Sequence, residues 1–263
     1  MRLELVFENL GLFGEGVLMT LELAAIALII GFALALPMGL AIYRKTPVAA
    51  AASKGFIYVF RGTPLLVQAY LIYYGLSQFE AVRDSIFWQA PDLIRGTILG
   101  EAWPSLRSAW WCAVIAFSLN SAAYQAAILA GAFEAVPRGV LEGGRAVGLS
   151  ERLITRLVLL PTALRQALPQ YSNEVVFMLH GTAVAGVITL QDILGAGRTL
   201  NARYYVAYEG YLTAAFLYMA ITGCLVVAFK LIEKRAMRHL ARPAAATEET
   251  TGPARPRLLA VLR

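Results

Sequence analysis

Hydrophobic residues in this chain gather into long runs separated by short basic links. Five stretches are apolar enough to cross a bilayer: residues 17–43, 63–79, 109–133, 165–190 and 211–232. A helix of about 20 residues crosses the hydrocarbon core. The second stretch is short and carries Pro64 and Gln68, so it needs flanking residues to span. The pattern predicts an all-α integral membrane protein with five transmembrane helices. Residues 1–16 form an N-terminal segment, 17–240 the membrane domain, and 241–263 a tail rich in Ala, Pro and Thr that reads as disordered.

Composition agrees with this reading: 59% of residues are hydrophobic and 15% charged, against about 25% charged in soluble domains. A net charge of +6 on a soluble surface would suggest a nucleic-acid partner. Its placement argues against one. Lys and Arg fall 17 to 6 on alternate sides of the five stretches, with Arg44, Lys45, Lys54 and Arg61 in the first link and Arg138, Arg145, Arg152, Arg156 and Arg165 in the third. The richer side marks the cytoplasm, which puts the N-terminus outside and the C-terminus inside, as an odd span count also requires. Arg61 is expected to snorkel to the cytoplasmic surface. Near the start, Arg2 faces Glu4, Glu8 and Glu15, unlike the basic region of a cleaved signal peptide, so the first run is expected to stay as an anchor. Cys112 and Cys224 lie in apolar runs without metal-ligand spacing and read as buried, inert thiols. Trp103, Trp110, Trp111, Tyr204, Tyr205 and Tyr208 gather near the predicted outer boundary, as interface aromatics do.

The link between the third and fourth runs, residues 136–161, is patterned as two short helices. Pro137 suits a helix start. Gly148 stands where a left-handed residue would close the first helix. Ser150 is placed to cap the second, with Leu149 and Ile154 at the spacing of a hydrophobic staple, and Pro161 marks the next break. Such a helix–Gly–helix elbow is either a surface gripped by another protein or a basic amphipathic stretch lying on lipid headgroups.

The residues Glu142-Gly143-Gly144, then Gly148, Val158, Leu160 and Pro161, resemble the cytoplasmic "EAA" loop of binding-protein-dependent ABC importer permeases, with the same spacing throughout. Gly143-Gly144 replaces the usual Ala-Ala, which should loosen the first helix by about 1 kcal/mol per residue. Phe60-Arg61-Gly62-Thr63-Pro64-Leu65-Leu66-Val67-Gln68 is similar to the stretch opening the second span of polar amino-acid permeases, as are Asn120, Ala123 and Tyr124, and Pro169 followed by Tyr171-Ser172-Asn173-Glu174-Val175. Leu179-His180-Gly181-Thr182-Ala183 looks most like the histidine, basic amino-acid and opine permeases. The resemblance covers roughly residues 15 to 240.

It implies a type I importer permease fold in a bacterial inner membrane. It also implies coupling to ATP hydrolysis through Glu142, Gly143, Gly144, Arg145, Gly148, Leu160 and Pro161. Two ATPase subunits would dock beneath that loop, a similar but non-identical permease would pair with this chain, and a periplasmic binding protein would deliver an amino acid or opine. The chain lacks a G-x-x-x-x-G-K-[ST] phosphate loop, so ATP and magnesium would sit on the partner ATPase, and no cofactor or enzymatic activity is expected here. Three residues after Tyr124, where many such permeases carry Glu, stands Ala127. That removes a carboxylate able to hold a cationic solute.

Polar residues inside the runs are candidates for a solute path, because such groups usually face a cavity or a partner. Glu174, beside Asn173, is either part of that path or a structural carboxylate satisfied by a neighbouring helix. Asn120 and Tyr124 share a helix face at i, i+4. Gln68 with Pro64 suggests a kinked helix, and His180 and Thr182 close the candidate set. Gly195-Ala196-Gly197 reads as a turn. An ion-coupled secondary transporter is the alternative, though it would want several intramembrane carboxylates and internal repeats.

Overall fold

The structure, a computed structural model, describes residues 2–93 and 105–236; Trp103, residues 237–240 and the tail from 241 lie outside them. After a short α1 (Leu3–Glu8), α2 runs unbroken over Leu10–Tyr43. Next come α3 (Pro47–Gly62) and α4 (Leu65–Tyr70), the latter prolonged by a π turn at Leu71–Gly75 and a 3-10 turn at Leu76–Gln78. Short α5 (Glu80–Arg83) and α6 (Ile86–Leu93) precede α7 (Ala109–Glu134). Beyond it lie α8 (Arg138–Ala146), α9 (Glu151–Ile154), a π turn at Thr155–Leu159 and α10 (Leu160–Gly181), which ends in a 3-10 segment at Thr182–Ile188. The last two helices are α11 (Ile193–Tyr204) and α12 (Ala207–Ala236). Three of these helices, α2, α7 and α12, are each long and apolar enough to cross a membrane, and two bent pairs raise the count to five if each is one span.

The hub is α7. Of its apolar window 72% is buried, against 6% for α12, so α12 is the helix whose sides are left outward. Exposed Cys224 lies on it, contrary to the expectation of two buried thiols; Cys112 is buried in α7. Helices α2 and α7 meet through small residues. A Cβ on Gly31 would stand 2.8 Å from the Gln125 amide nitrogen, and one on Gly39 would stand 3.0 Å from Leu129 Cβ. Small residues let membrane helices approach where lipid gives no hydrophobic drive. Two apolar clusters fill the bundle. One gathers Leu23, Ala27, Phe117, Met178 and Ile188, and the other Leu129, Phe133, Leu141, Ile154 and Leu159. The second joins α7 to the α8–α9 elbow.

Several boundaries differ from those read in the sequence. The first spanning helix starts at Leu10 rather than 17, because Gly11, Gly14 and Gly16 do not break it and Gly16 packs directly on the Asp192 carbonyl. The stretch at 63–79 is only the second half of a bent pair, α3 with α4 and its extension, turned by 99° at a break around Thr63. Lys54 and Arg61 therefore belong to a packed helix and not to a loop. No break falls at Pro161: the π turn just before it takes up the hydrogen bond a proline cannot give, and the helix runs on from Glu151 to Ile188. Gly195-Ala196-Gly197 is not a turn but the interior of α11. Gly197 lies against Gly210 of α12, where a Cβ would meet the Gly210 carbonyl at 2.9 Å.

Candidate functional site

The elbow follows from local chemistry. Helix α8 ends in a Schellman motif: Gly148 N–H donates to the Arg145 carbonyl at 2.9 Å and Leu149 N–H to the Gly144 carbonyl at 3.1 Å. Gly148 has φ +82°, a conformation open to glycine, tolerated by asparagine and strained for most other residues. Ser150 is the N-cap of α9 as expected, but its hydroxyl makes no capping bond; its carbonyl accepts from Ile154 N–H at 2.9 Å. Ile154 is buried, Leu149 packs into the same cluster, and both approach Gly144, where a Cβ would stand 3.3 Å from Ile154 Cγ1. Gly144 is thus the contact point between α8 and α9, while Gly143 faces open space. Arg145 clamps the outer side, its Nε donating to Glu151 at 2.7 Å. That pairing raises the Arg145 pKa and holds the Glu151 carboxyl below its usual range. Glu142 is exposed, as are Val147 and Val140 on the apolar strip beside it. Leu160 and Pro161 are half-buried in the helix that the elbow feeds, and Arg44 at the end of α2 donates to Thr155 Oγ1 at 2.9 Å.

The second cluster lies at the break between α3 and α4. Pro64 has no N–H, so the Phe60 carbonyl loses its helical donor. Gln68 Nε2 replaces it at 2.8 Å and Asn120 Nδ2 adds a second bond at 3.2 Å. Gln68 also donates to the Thr63 carbonyl at 3.0 Å and accepts from Asn120 at 3.2 Å. Both side chains are buried. They hold a broken helix together, because exposed backbone groups within a membrane must find protein partners. Beside them Tyr124 stacks on Phe177 at 5.5 Å, and the Arg61 guanidinium lies 4.9 Å from the Tyr124 ring centre. The exposed Arg61 thus faces Tyr124, near the middle of α7.

Glu174 is buried one layer further on. Ser121 donates to it at 2.8 Å, Gln125 donates to Ser121 at 2.8 Å and to the Leu28 carbonyl at 3.1 Å, and so α2, α7 and α10 are tied by one chain of bonds. Its neighbour Asn173 is exposed. His180 points elsewhere, 3.0 Å from Thr222 Oγ1 on α12 and edge-on to Tyr218. Thr182 is buried and donates to the Leu179 carbonyl within its own turn. The structure thus brings Gln68, Asn120 and Tyr124 together, sets Glu174 beside them and leaves His180 and Thr182 apart.

Two residues escaped the sequence reading. One is Arg61, counted there as a link charge. The other is Asp192, fully buried, which caps α11 by accepting from Gly195 N–H at 2.8 Å and also accepts from the Tyr218 hydroxyl at 3.0 Å. Arg198 stands 3.8 Å from its carboxylate and donates to the Gly186 carbonyl at 3.2 Å. An Asp immediately before an apolar pair, here Ile193-Leu194, is a readable cap signal.

Comparison with known proteins gives the chain's family. The family model described as binding-protein-dependent transport system inner membrane component matches residues 27–238. The nopaline transport system permease protein of Agrobacterium fabrum is 36% identical over 84% of this chain and 86% of its own length. The histidine/lysine/arginine/ornithine transport system permease protein of Escherichia coli is 38% identical over 86% of this chain and 89% of its own. Among solved structures, an amino acid ABC transporter crystallised with histidines superposes with a TM-score of 0.74, is 29% identical, and covers 89% of this chain and 99% of that one.

Proposed function

Because the chain belongs to the family of binding-protein-dependent transport system inner membrane components, we propose that its solute is an amino acid or an opine and that ATP hydrolysis reaches it through the α8–α9 elbow. The chain is a permease subunit of an ABC importer, and this family membership favours it over an ion-coupled secondary transporter. The proposed assembly pairs it with a similar but non-identical permease and with two ATPase subunits that hold ATP and magnesium. A periplasmic binding protein delivers the solute. In the proposed orientation the N-terminus is periplasmic and the elbow cytoplasmic, the side richer in Lys and Arg.

The observation that carries the mechanism is continuity: α9, the π turn and α10 form one helical path from Glu151 to Ile188. A push on Glu142, Val147 and Gly148 passes through the Gly144–Ile154 contact and the Arg145–Glu151 bridge into the helix that bears Glu174, with Arg44 linking it to α2. In this reading, closure of the ATPase pair tilts α10 against α7 and opens the path to the other side. Gln68 and Asn120 keep the broken span intact while it moves. The solute class is supported by the relatives named above.

The test is uptake into proteoliposomes holding this chain with its partner permease and ATPase, supplied with the binding protein and ATP. Arginine, histidine, nopaline and octopine are offered in turn. ATP-dependent accumulation of at least one supports the reading. Accumulation of none, while the ATPase remains active, overturns the solute class.

A further inference from the structure

We propose that the groove between α2 and α10 holds an acyl chain of an anionic phospholipid, whose headgroup rests on Arg44, Arg156 and Arg165. The inference goes beyond the transport reading and takes from it only the membrane setting and the side on which the elbow lies.

The groove encloses ≈ 250 Å³ and is lined by Phe32, Leu129, Leu164, Ala167, Leu168 and Tyr171. That volume falls below the ~300–1,000 Å³ usual for small-molecule sites and suits a slender chain. Leu129 of α7 is buried, Phe32 and Tyr171 meet edge to face at 6.1 Å, and Leu164 is exposed. A helix rises about 1.5 Å per residue. Counted from Leu160, the first residue of α10, Leu164 therefore lies about 6 Å and Tyr171 about 17 Å along the helix. Phe32 lies about 17 Å from Tyr43, the last residue of α2. Both walls place the groove in the half of the ~30 Å hydrocarbon core nearer the elbow, where the acyl chains of that leaflet run.

The direction of the groove separates a lipid from the partner permease. Leu168 and Phe177 are about two and a half helical turns apart, so they leave α10 on opposite sides. Phe177 turns to Tyr124, on the side of the candidate solute path. A permease that shares the path with this chain approaches from there, and the groove faces the other way.

Charge fixes the class of lipid. Arg44 follows the last residue of α2 and donates to Thr155 Oγ1, so the basic ends of the two walls come together. Arg156 stands next to Thr155, and Arg165 lies one turn from Leu168 at i, i+3; both are exposed. Arginine near a helix end reaches back to headgroup level. Among the described residues the ion pairs are Arg145–Glu151 and Arg198–Asp192, which leaves Arg156 and Arg165 to meet a phosphate. Glu151, close enough to act on Arg44, is held by Arg145. Basic clusters at the cytoplasmic ends of membrane helices bind anionic headgroups.

The experiment is photolabelling of the full permease–ATPase complex in lipid nanodiscs. The probes are phosphatidylglycerol and phosphatidylcholine, each with a diazirine about midway along one acyl chain, in discs of otherwise identical lipid. Labelled residues are mapped by peptide mass spectrometry. Phosphatidylglycerol should label Phe32, Leu164 and Leu168 at least about tenfold more than phosphatidylcholine. Arg156→Gln and Arg165→Gln should each lower that preference about fivefold, the effect of one cation near the surface. Lys54→Gln, in the cleft beside Arg61, should leave it unchanged. Leu168→Trp fills the groove and should remove labelling of Phe32 by both probes. Should that variant fail to assemble, the two arginine variants decide the matter. Equal labelling by both probes, or a preference that survives both arginine substitutions, overturns the proposal. So does a groove that neither probe labels, the result expected if a protein segment covers it. Uptake is measured on the same complex: a labelled groove in a complex that accumulates none of the offered solutes would overturn the transport reading alone.

Discussion

Asn120 and Gln68 are bonded side chain to side chain at 3.2 Å, and both also donate to the Phe60 carbonyl. The pair occupies the place of the N–H that Pro64 lacks, so its first role is to satisfy a broken helix. Gln68→Leu should lower the stability of the complex by about 1–3 kcal/mol, the cost of leaving buried carbonyls unpaired. The check is thermal unfolding of the purified complex alongside solute affinity. A fall in melting temperature with little change in affinity is expected. The reverse pattern would make Gln68 a solute ligand.

The two glycines of the Glu142-Gly143-Gly144 run are not equivalent. Gly143 faces open space, so Gly143→Ala should stabilise α8 by about 1 kcal/mol through helix propensity alone. At Gly144 the added methyl meets Ile154 Cγ1 at 3.3 Å. Gly144→Ala should gain less, or lose, because the buried Ile154 must give way. Melting curves of the two single variants decide the order.

The Arg145–Glu151 bridge makes the elbow sensitive to acid. The hydrogen bond and attraction from Arg145 depress the Glu151 pKa in the folded protein. The stabilisation is therefore fully present above the ordinary glutamate value of about 4.3 and is lost as pH falls through the depressed one. Both side chains are solvent-exposed, so the effect is small and weakens with salt. Melting temperature measured against pH should show the gap between wild type and Glu151→Gln closing on the acid side. A gap independent of pH would remove the bridge from the account.

The elbow was legible in the sequence because its signals are local: a glycine needing a left-handed backbone, a proline before α8, and apolar residues at staple spacing. The long apolar runs behind α2, α7 and α12 were equally plain. The kink of the second span was signalled by Pro64 and Gln68; its 99° turn and its tie to Asn120, about 60 residues from Phe60, were not. The contact of Arg61 with Tyr124 was hidden too: nothing nearby in sequence shows that the guanidinium lies over that ring. Helix α11 was mistaken for a turn because glycine is a breaker on its own and becomes a packing residue only against Gly210. Pro161 was read as an interruption, whereas a π turn absorbs it.

The central claim is that the elbow transmits ATP-driven motion into α10, and Gly148 tests it most directly. Its φ of +82° costs a β-branched residue about 1–2 kcal/mol, while asparagine tolerates it. The measurement is the ratio of solute accumulated to ATP hydrolysed in proteoliposomes for wild type, Gly148→Asn and Gly148→Val, with co-purification of the ATPase recorded for each. The account predicts a near-normal ratio for Gly148→Asn and a collapsed one for Gly148→Val, with this chain still inserted in the membrane. A Gly148→Val complex that transports and hydrolyses in the wild-type ratio would contradict it.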